Sequence, residues 1–131
     1  MTKKSNKGKT VLVIEDEKPL LEAIKAKLEL SNFDVVSART VDQALSYLDD
    51  IAKIDIIWLD HYLFGQKDGL DFVAKVKDKK SKWRNIPILV VSNSASLDKE
   101  QTYINLGVAN YYTKANYSLN QIIADINKFL K

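Results

Sequence analysis

The chain has no cysteine and a single histidine, His61, among its 131 residues. Disulfides and thiolate chemistry are excluded, and a zinc site of the usual ligand types is not expected. No window approaches the roughly 18 unbroken apolar residues of a membrane span. The opening "MTKKSNKGK" also lacks the apolar stretch of a secretory signal, so a cytoplasmic protein without membrane contact is expected. No low-complexity run, internal repeat or interdomain linker stands out. With 46% apolar content, a single domain with a real core is expected over residues 9–131, behind a flexible basic tail at 1–8.

The net charge of +3 suggests nucleic-acid binding until it is located. Lys3, Lys4, Lys7 and Lys9 fall in the first ten residues, so the remainder is nearly neutral. A second cluster, Lys75, Lys77, Lys79, Lys80, Lys82 and Arg84, reads as a solvated face, because no aromatic platform alternates with it. Direct nucleic-acid contact is not expected.

Along the chain, two kinds of segment alternate. "TVLVI" (10–14), "DVVSA" (34–38), "IDIIWL" (54–59), "IPILVVS" (86–92) and "VANYYT" (108–113) are short and apolar without alternation, as strands buried on both faces are. Between them run helical stripes: Leu20, Leu21, Ile24 and Leu28; Val41, Ala44, Leu45 and Leu48; Leu70, Val73 and Val76; Leu119, Ile122, Ile123, Ile126 and Leu130. A weaker stripe holds Leu97, Tyr103 and Ile104. Pro19 suits a first helical turn, where its missing N–H has no intrahelical role. The alternation predicts an α/β fold, a parallel sheet covered on both faces with right-handed crossovers.

In such a sheet, chemistry gathers beyond the carboxyl ends of the strands. The first strand ends in Glu15-Asp16-Glu17, the third in Asp60, the fourth in Ser92 and the fifth shortly before Lys114. Crowded carboxylates repel and raise a pKa unless a cation sits among them. An oxygen-only site of this kind suits a hard divalent ion such as Mg2+.

Taken in order, "ED" (15–16), "LD" (59–60) with "DGL" (68–70), "IPILVVSNSAS" (86–96) and "GVANYYTK" (107–114) resemble the receiver domain of bacterial two-component response regulators, of the single-domain chemotaxis type. The resemblance runs from about residue 10 to residue 131 and implies a flavodoxin-like (βα)5 domain with strand order 2-1-3-4-5. It implies Asp60 as phosphoacceptor, and Mg2+ held by Asp16, Asp60 and the Tyr62 carbonyl, with Glu15 acting through water. Lys114 and Ser92 would meet the phosphoryl group, and Tyr111 would turn inward as the Ser92 hydroxyl moves. Its partners would be a sensor histidine kinase or histidine phosphotransfer protein upstream and an effector protein downstream. Catalysis of an external substrate is not implied. If "IIADINKFLK" ends the natural protein, output would pass through another protein, and the sequence equally suits a domain cut from a longer chain; homodimerisation through the last helix is left open.

Each residue also has a plainer reading. Asp60 alone could cap a helix, Glu15 could be a solvated neighbour, and Ser92 a turn hydroxyl. Tyr111 and Tyr112 alternate by face, so one belongs to core or surface. His61 reads as solvent-facing rather than as a phosphoryl carrier, and Gly65 and Gly69 as turn residues with positive φ. Departures from the family pattern are a 60–69 loop one residue longer, Phe64-Gly65 in place of proline, Asn93 after Ser92, and Ala115 after Lys114. Asn93 predicts altered dephosphorylation. Because a cis bond before a non-proline residue costs about 2.5 to 4 kcal/mol, a trans Lys114–Ala115 bond is predicted. An aspartate-nucleophile phosphatase would need an acid where Tyr62 stands, and a flavin site would need a phosphate loop in place of "EDEKPL" (15–20). The remaining alternative is a receiver-like module that binds protein without phosphorylation.

Overall fold

The computed structural model describes residues 8–51, 53–63, 67–93 and 96–130. Most of the basic tail, together with Phe64, Gly65, Ser94 and Ala95, lies outside them. Five strands alternate with five helices: β1 (Thr10–Ile14), α1 (Lys18–Leu30), β2 (Asp34–Ala38), α2 (Val41–Asp50), β3 (Ile56–Leu59), α3 (Gly69–Val76), β4 (Ile88–Ser92), α4 (Leu97–Leu106), β5 (Asn110–Thr113) and α5 (Leu119–Phe129). All pairings are parallel, in the order β2-β1-β3-β4-β5. The chain reverses direction across the sheet beside β1 and β3, and this places the switch point between Glu15 and Asp60.

Alternation along β3 divides the core. Ile56 and Trp58 face α1 and α5, where Leu21, Ile24, Leu28, Ile122 and Ile126 close over them. Ile57 and Leu59 face α2, α3 and α4, against Ala44, Leu48, Phe72, Val73 and Tyr103. Helix starts follow their caps. Thr40, Asp68, Ser96 and Ser118 each accept a backbone N–H of the following turn, and Asp68–Asp71 and Ser118–Gln121 form reciprocal capping boxes. α4 ends at Gly107, whose φ of 105° is the left-handed conformation that terminates helices.

Several expectations need correction. β2 is an edge strand and mostly half-buried, so it is not covered on both faces. The third, fourth and fifth strands begin two residues later than their apolar runs. Pro87 lacks a donor and lies just before β4, where its carbonyl accepts from Ile57 N at 3.0 Å. In α4, Tyr103 is fully buried while Leu97 and Ile104 are 79% and 40% exposed, so that stripe reduces to one aromatic anchor. Lys77 is no solvated charge either. Its Nζ donates to the carbonyls of Arg84 (2.9 Å) and Ile86 (2.8 Å), tying the following loop to the end of α3, and burial pushes its pKa down.

Candidate functional site

Backbone bonds beyond the strand ends fix the acidic edge. Glu15 N donates to Ala38 O at 3.0 Å and Asp60 N to Ile14 O at 2.9 Å, extending the ladder one residue past β1 and β3. Both side chains are thereby held almost out of water, Glu15 at 1% and Asp60 at 4% exposure. Asp16 stays half-buried, and the Arg39 guanidinium donates to its carbonyl at 2.8 and 3.2 Å. One carboxylate oxygen each from Glu15, Asp16 and Asp60 lie within 4.8 Å of one another.

Lys114 enters from beyond β5. Its backbone N–H donates to Ser92 O at 2.8 Å, and its ammonium lies 3.3 Å from Glu15 Oε1 and 3.4 Å from Asp60 Oδ1. One cation therefore serves two buried carboxylates, which is too little. Burial, then the neighbouring Glu15 charge, pushes the Asp60 carboxyl up to about 7 against the pull of Lys114. Burial also raises Glu15, opposed by the Glu17 N–H and Lys114. The site has only oxygen donors and a deficit of positive charge, and it fits a hard divalent cation.

Ser92 ends β4 fully buried, in register with Thr113. Tyr111, two residues earlier on β5, is 6% exposed and packs toward α4 with its ring centroid 5.9 Å from that of Tyr103. Tyr112 points to the opposite core, where its hydroxyl meets Asp125 at 2.5 Å. Asn93 is exposed beside this edge. No peptide bond is cis among the described residues, so Lys114–Ala115 is trans as its sequence requires.

The segment after Asp60 departs from expectation. His61 is not solvent-facing: it is 5% exposed and its Nδ1 lies 2.6 Å from the hydroxyl of Tyr103. Burial and the Lys99 ammonium push the imidazole pKa down, which favours the neutral ring. Nε2 faces the Asp68 carboxylate at 3.9 Å, and in the tautomer that carries its proton there Nδ1 accepts from the Tyr103 hydroxyl. Gly69 has no positive φ. It opens α3 because a Cβ there would collide with the Tyr103 hydroxyl and sit 3.1 Å from His61 Cα. Tyr62 is the exposed member, with Lys99 Nζ 2.8 Å from its hydroxyl and 4.7 Å from its ring centre.

The structure thus gathers Glu15, Asp16, Asp60, Ser92 and Lys114 at one edge, with Tyr111 buried on the side of β5 that faces α4. Sequence reasoning missed Arg39, the burial of His61 and the part played by Tyr103. The signal available for Tyr103 was a bulky aromatic isolated in an otherwise polar helix.

This fold, with three carboxylates that could hold a cation and a bridging lysine at its switch point, defines a doubly wound α/β domain with an acidic site at the carboxyl edge of its sheet. Residues 11–127 match the family model described as "Response regulator receiver domain", and the chain belongs to that family. It is 28% identical over 124 residues to the phosphate regulon transcriptional regulatory protein PhoB of Pseudomonas aeruginosa, covering 95% of this chain and 52% of that protein. The chain spans about half the length of the curated relatives it matches. Among solved structures, the receiver domain of Francisella response regulator 1452 superposes with a TM-score of 0.83 at 24% identity, over 94% of this chain and 97% of that one. The phosphorylated cyanobacterial phytochrome response regulator RcpA gives 0.76 at 28% identity, over 92% and 89%. Among the described residues no helix is long and apolar enough to cross a membrane.

Proposed function

We propose that this domain receives a phosphoryl group on Asp60 from a sensor histidine kinase or a histidine phosphotransfer protein in the cytoplasm, and passes the signal to an effector protein. The observation that carries this reading is the Glu15–Asp16–Asp60 cluster, two of its members buried and bridged by Lys114. An Asp60 carboxylate oxygen forms the new O–P bond while the P–N bond of the donor phosphohistidine breaks, its electron pair leaving on the imidazole. Asp16, Asp60 and the Tyr62 carbonyl would hold Mg2+, with Glu15 assisting through water. Bound there, Mg2+ supplies positive charge beside the transferred oxygens. Lys114 moves from sharing two carboxylates to serving the phosphoryl oxygens, and the Ser92 hydroxyl is drawn toward the same group.

The consequence is a population shift. Movement of the Ser92 hydroxyl makes the room into which Tyr111 turns, and the surface of α4, β5 and α5 is remodelled. A full swing from 1:99 to 99:1 takes about 5.5 kcal/mol of differential interaction. A few charge-assisted hydrogen bonds supply that magnitude.

A second reading has one observation in its favour: Tyr111 is already buried in the unmodified chain. On that reading the module binds its partner without phosphorylation. Intact mass after incubation with acetyl phosphate and Mg2+ separates the two. One phosphoryl group on wild type, none on Asp60→Asn and none after chelation supports the first reading. If wild type stays unmodified with both acetyl phosphate and a phosphorylated histidine donor, the second stands.

A further inference from the structure

On its N-terminal side Asp60 is held by the bond from its N–H to Ile14 O. What fixes the chain immediately after it comes from elsewhere in the fold. Gly69 N donates to His61 O at 3.0 Å, and the Tyr103 hydroxyl meets His61 Nδ1 at 2.6 Å across 42 residues of sequence. Both partners of the second bond are buried, His61 at 5% and Tyr103 at 0% exposure.

We infer that Tyr103 is a positioning residue for phosphoryl acceptance: from α4, its hydroxyl holds His61 and hence the backbone that carries Asp60 on one side and the Tyr62 carbonyl on the other. The inference rests on the phosphoacceptor reading of Asp60. Three features of the contact exceed what simple filling of a core requires. A phenylalanine would occupy the same hole without needing an acceptor. The acceptor is the residue bonded directly to Asp60. Gly69 has its Cβ space occupied by this very hydroxyl, so the start of α3 is shaped around the bond.

Tyr103 also stands between two parts of the switch. Its ring lies 5.7 Å from that of His61 and 5.9 Å from that of Tyr111. Besides the exposed contact of Lys99 with Tyr62, α4 therefore touches the acceptor segment through one edge of a buried aromatic and the β5 tyrosine through another. A partner that displaces α4 must disturb the 60–62 backbone, and by thermodynamic reciprocity phosphorylation of Asp60 biases the seat of α4.

The test uses Tyr103→Phe, His61→Leu, the double variant and His61→Asn, with Tyr112→Phe as a control that removes a part-buried hydroxyl on the opposite side of the sheet. Backbone amide signals of Asp60, His61 and Tyr62 are followed by NMR in metal-free protein. Mg2+ affinity is measured by calorimetry, and the rate of phosphorylation by acetyl phosphate by intact mass, all well below the melting temperature. Tyr103→Phe is expected to shift the three amide signals, weaken Mg2+ binding about ten-fold and slow phosphorylation roughly ten-fold. His61→Leu should do the same, and the double variant no more than either single change. His61→Asn retains an acceptor near the position of Nδ1 and should remain close to wild type, as should Tyr112→Phe. Unshifted amides in Tyr103→Phe, or shifted amides with unchanged rate and Mg2+ affinity, would overturn the inference. Losses in Tyr112→Phe as large as those in Tyr103→Phe would overturn it too, by exposing a general effect of destabilisation. A wild type that accepts no phosphoryl group contradicts the reading on which the inference rests, while the amide signals still report whether the bond holds the segment.

Discussion

Both faces of the sheet bury aliphatic side chains but differ in what lies among them. On the α1 and α5 side, Val11, Val13, Ile24, Leu28, Leu89, Val91 and Ile122 pack with β3 through Ile56 and Trp58. Its buried tyrosine, Tyr112, places its hydroxyl on Asp125 of α5, away from the carboxylates. On the α2, α3 and α4 side, Tyr103 and Tyr111 bring two hydroxyl-bearing rings into the core, one bonded to the residue that follows Asp60. Apolar packing has no directional partner to exchange, so the first face fixes β1 and β3 and with them the carboxylates. Hydrogen-bonded aromatics can exchange discrete partners, so on the function proposed above the second face is the one that changes arrangement. On that reading, stability and responsiveness divide between opposite sides of one sheet.

Ile24→Ala offers the largest expected effect. Ile24 is 1% exposed in the α1/α5 core, and truncation should cost about 2 to 5 kcal/mol by chemical denaturation. At low temperature the folded fraction should still accept a phosphoryl group at the wild-type rate. A rate that falls with stability would erase the distinction between the faces.

The edge itself should register as a pH effect. The Asp60 pKa lies near 7 in the fold, against an ordinary value of 3.8. Between these values the folded state therefore binds more protons than the unfolded state, so metal-free stability through this group falls as pH rises from about 4 to 7. Asp60→Asn removes the penalty and should stabilise the metal-free protein by about 1 to 3 kcal/mol at pH 8, with the gain fading toward pH 4. Saturating Mg2+ should narrow the difference. A gain that grows on acidification would contradict the assignment of a strained carboxylate. The smallest effect belongs to Tyr112→Phe, at about 1 kcal/mol of stability for one hydrogen bond at the protein's edge.

Much of this was legible in the sequence because punctuation at strand ends is local. Asp60, Asp16, Ser92 and Lys114 interrupt apolar runs, and parallel topology carries all four ends to one edge. The contact between His61 and Tyr103 was not legible, since a lone histidine after a strand and a lone tyrosine in a polar helix carry no mutual signal. Gly69 misled for a related reason. A glycine chosen for close approach of a hydroxyl looks the same in sequence as one chosen for a left-handed turn. Arg39 was likewise hidden, because its partner is a backbone carbonyl, which leaves no mark in a sequence.

The most direct test of this division is amide hydrogen exchange of the domain with acetyl phosphate and Mg2+, wild type against Asp60→Asn. The expected result is changed protection in residues 60–63, α4 and β5 of wild type alone, with β1 and the buried face of α1 unaltered. Equal changes across α1 and α4, or none in α4, would contradict it.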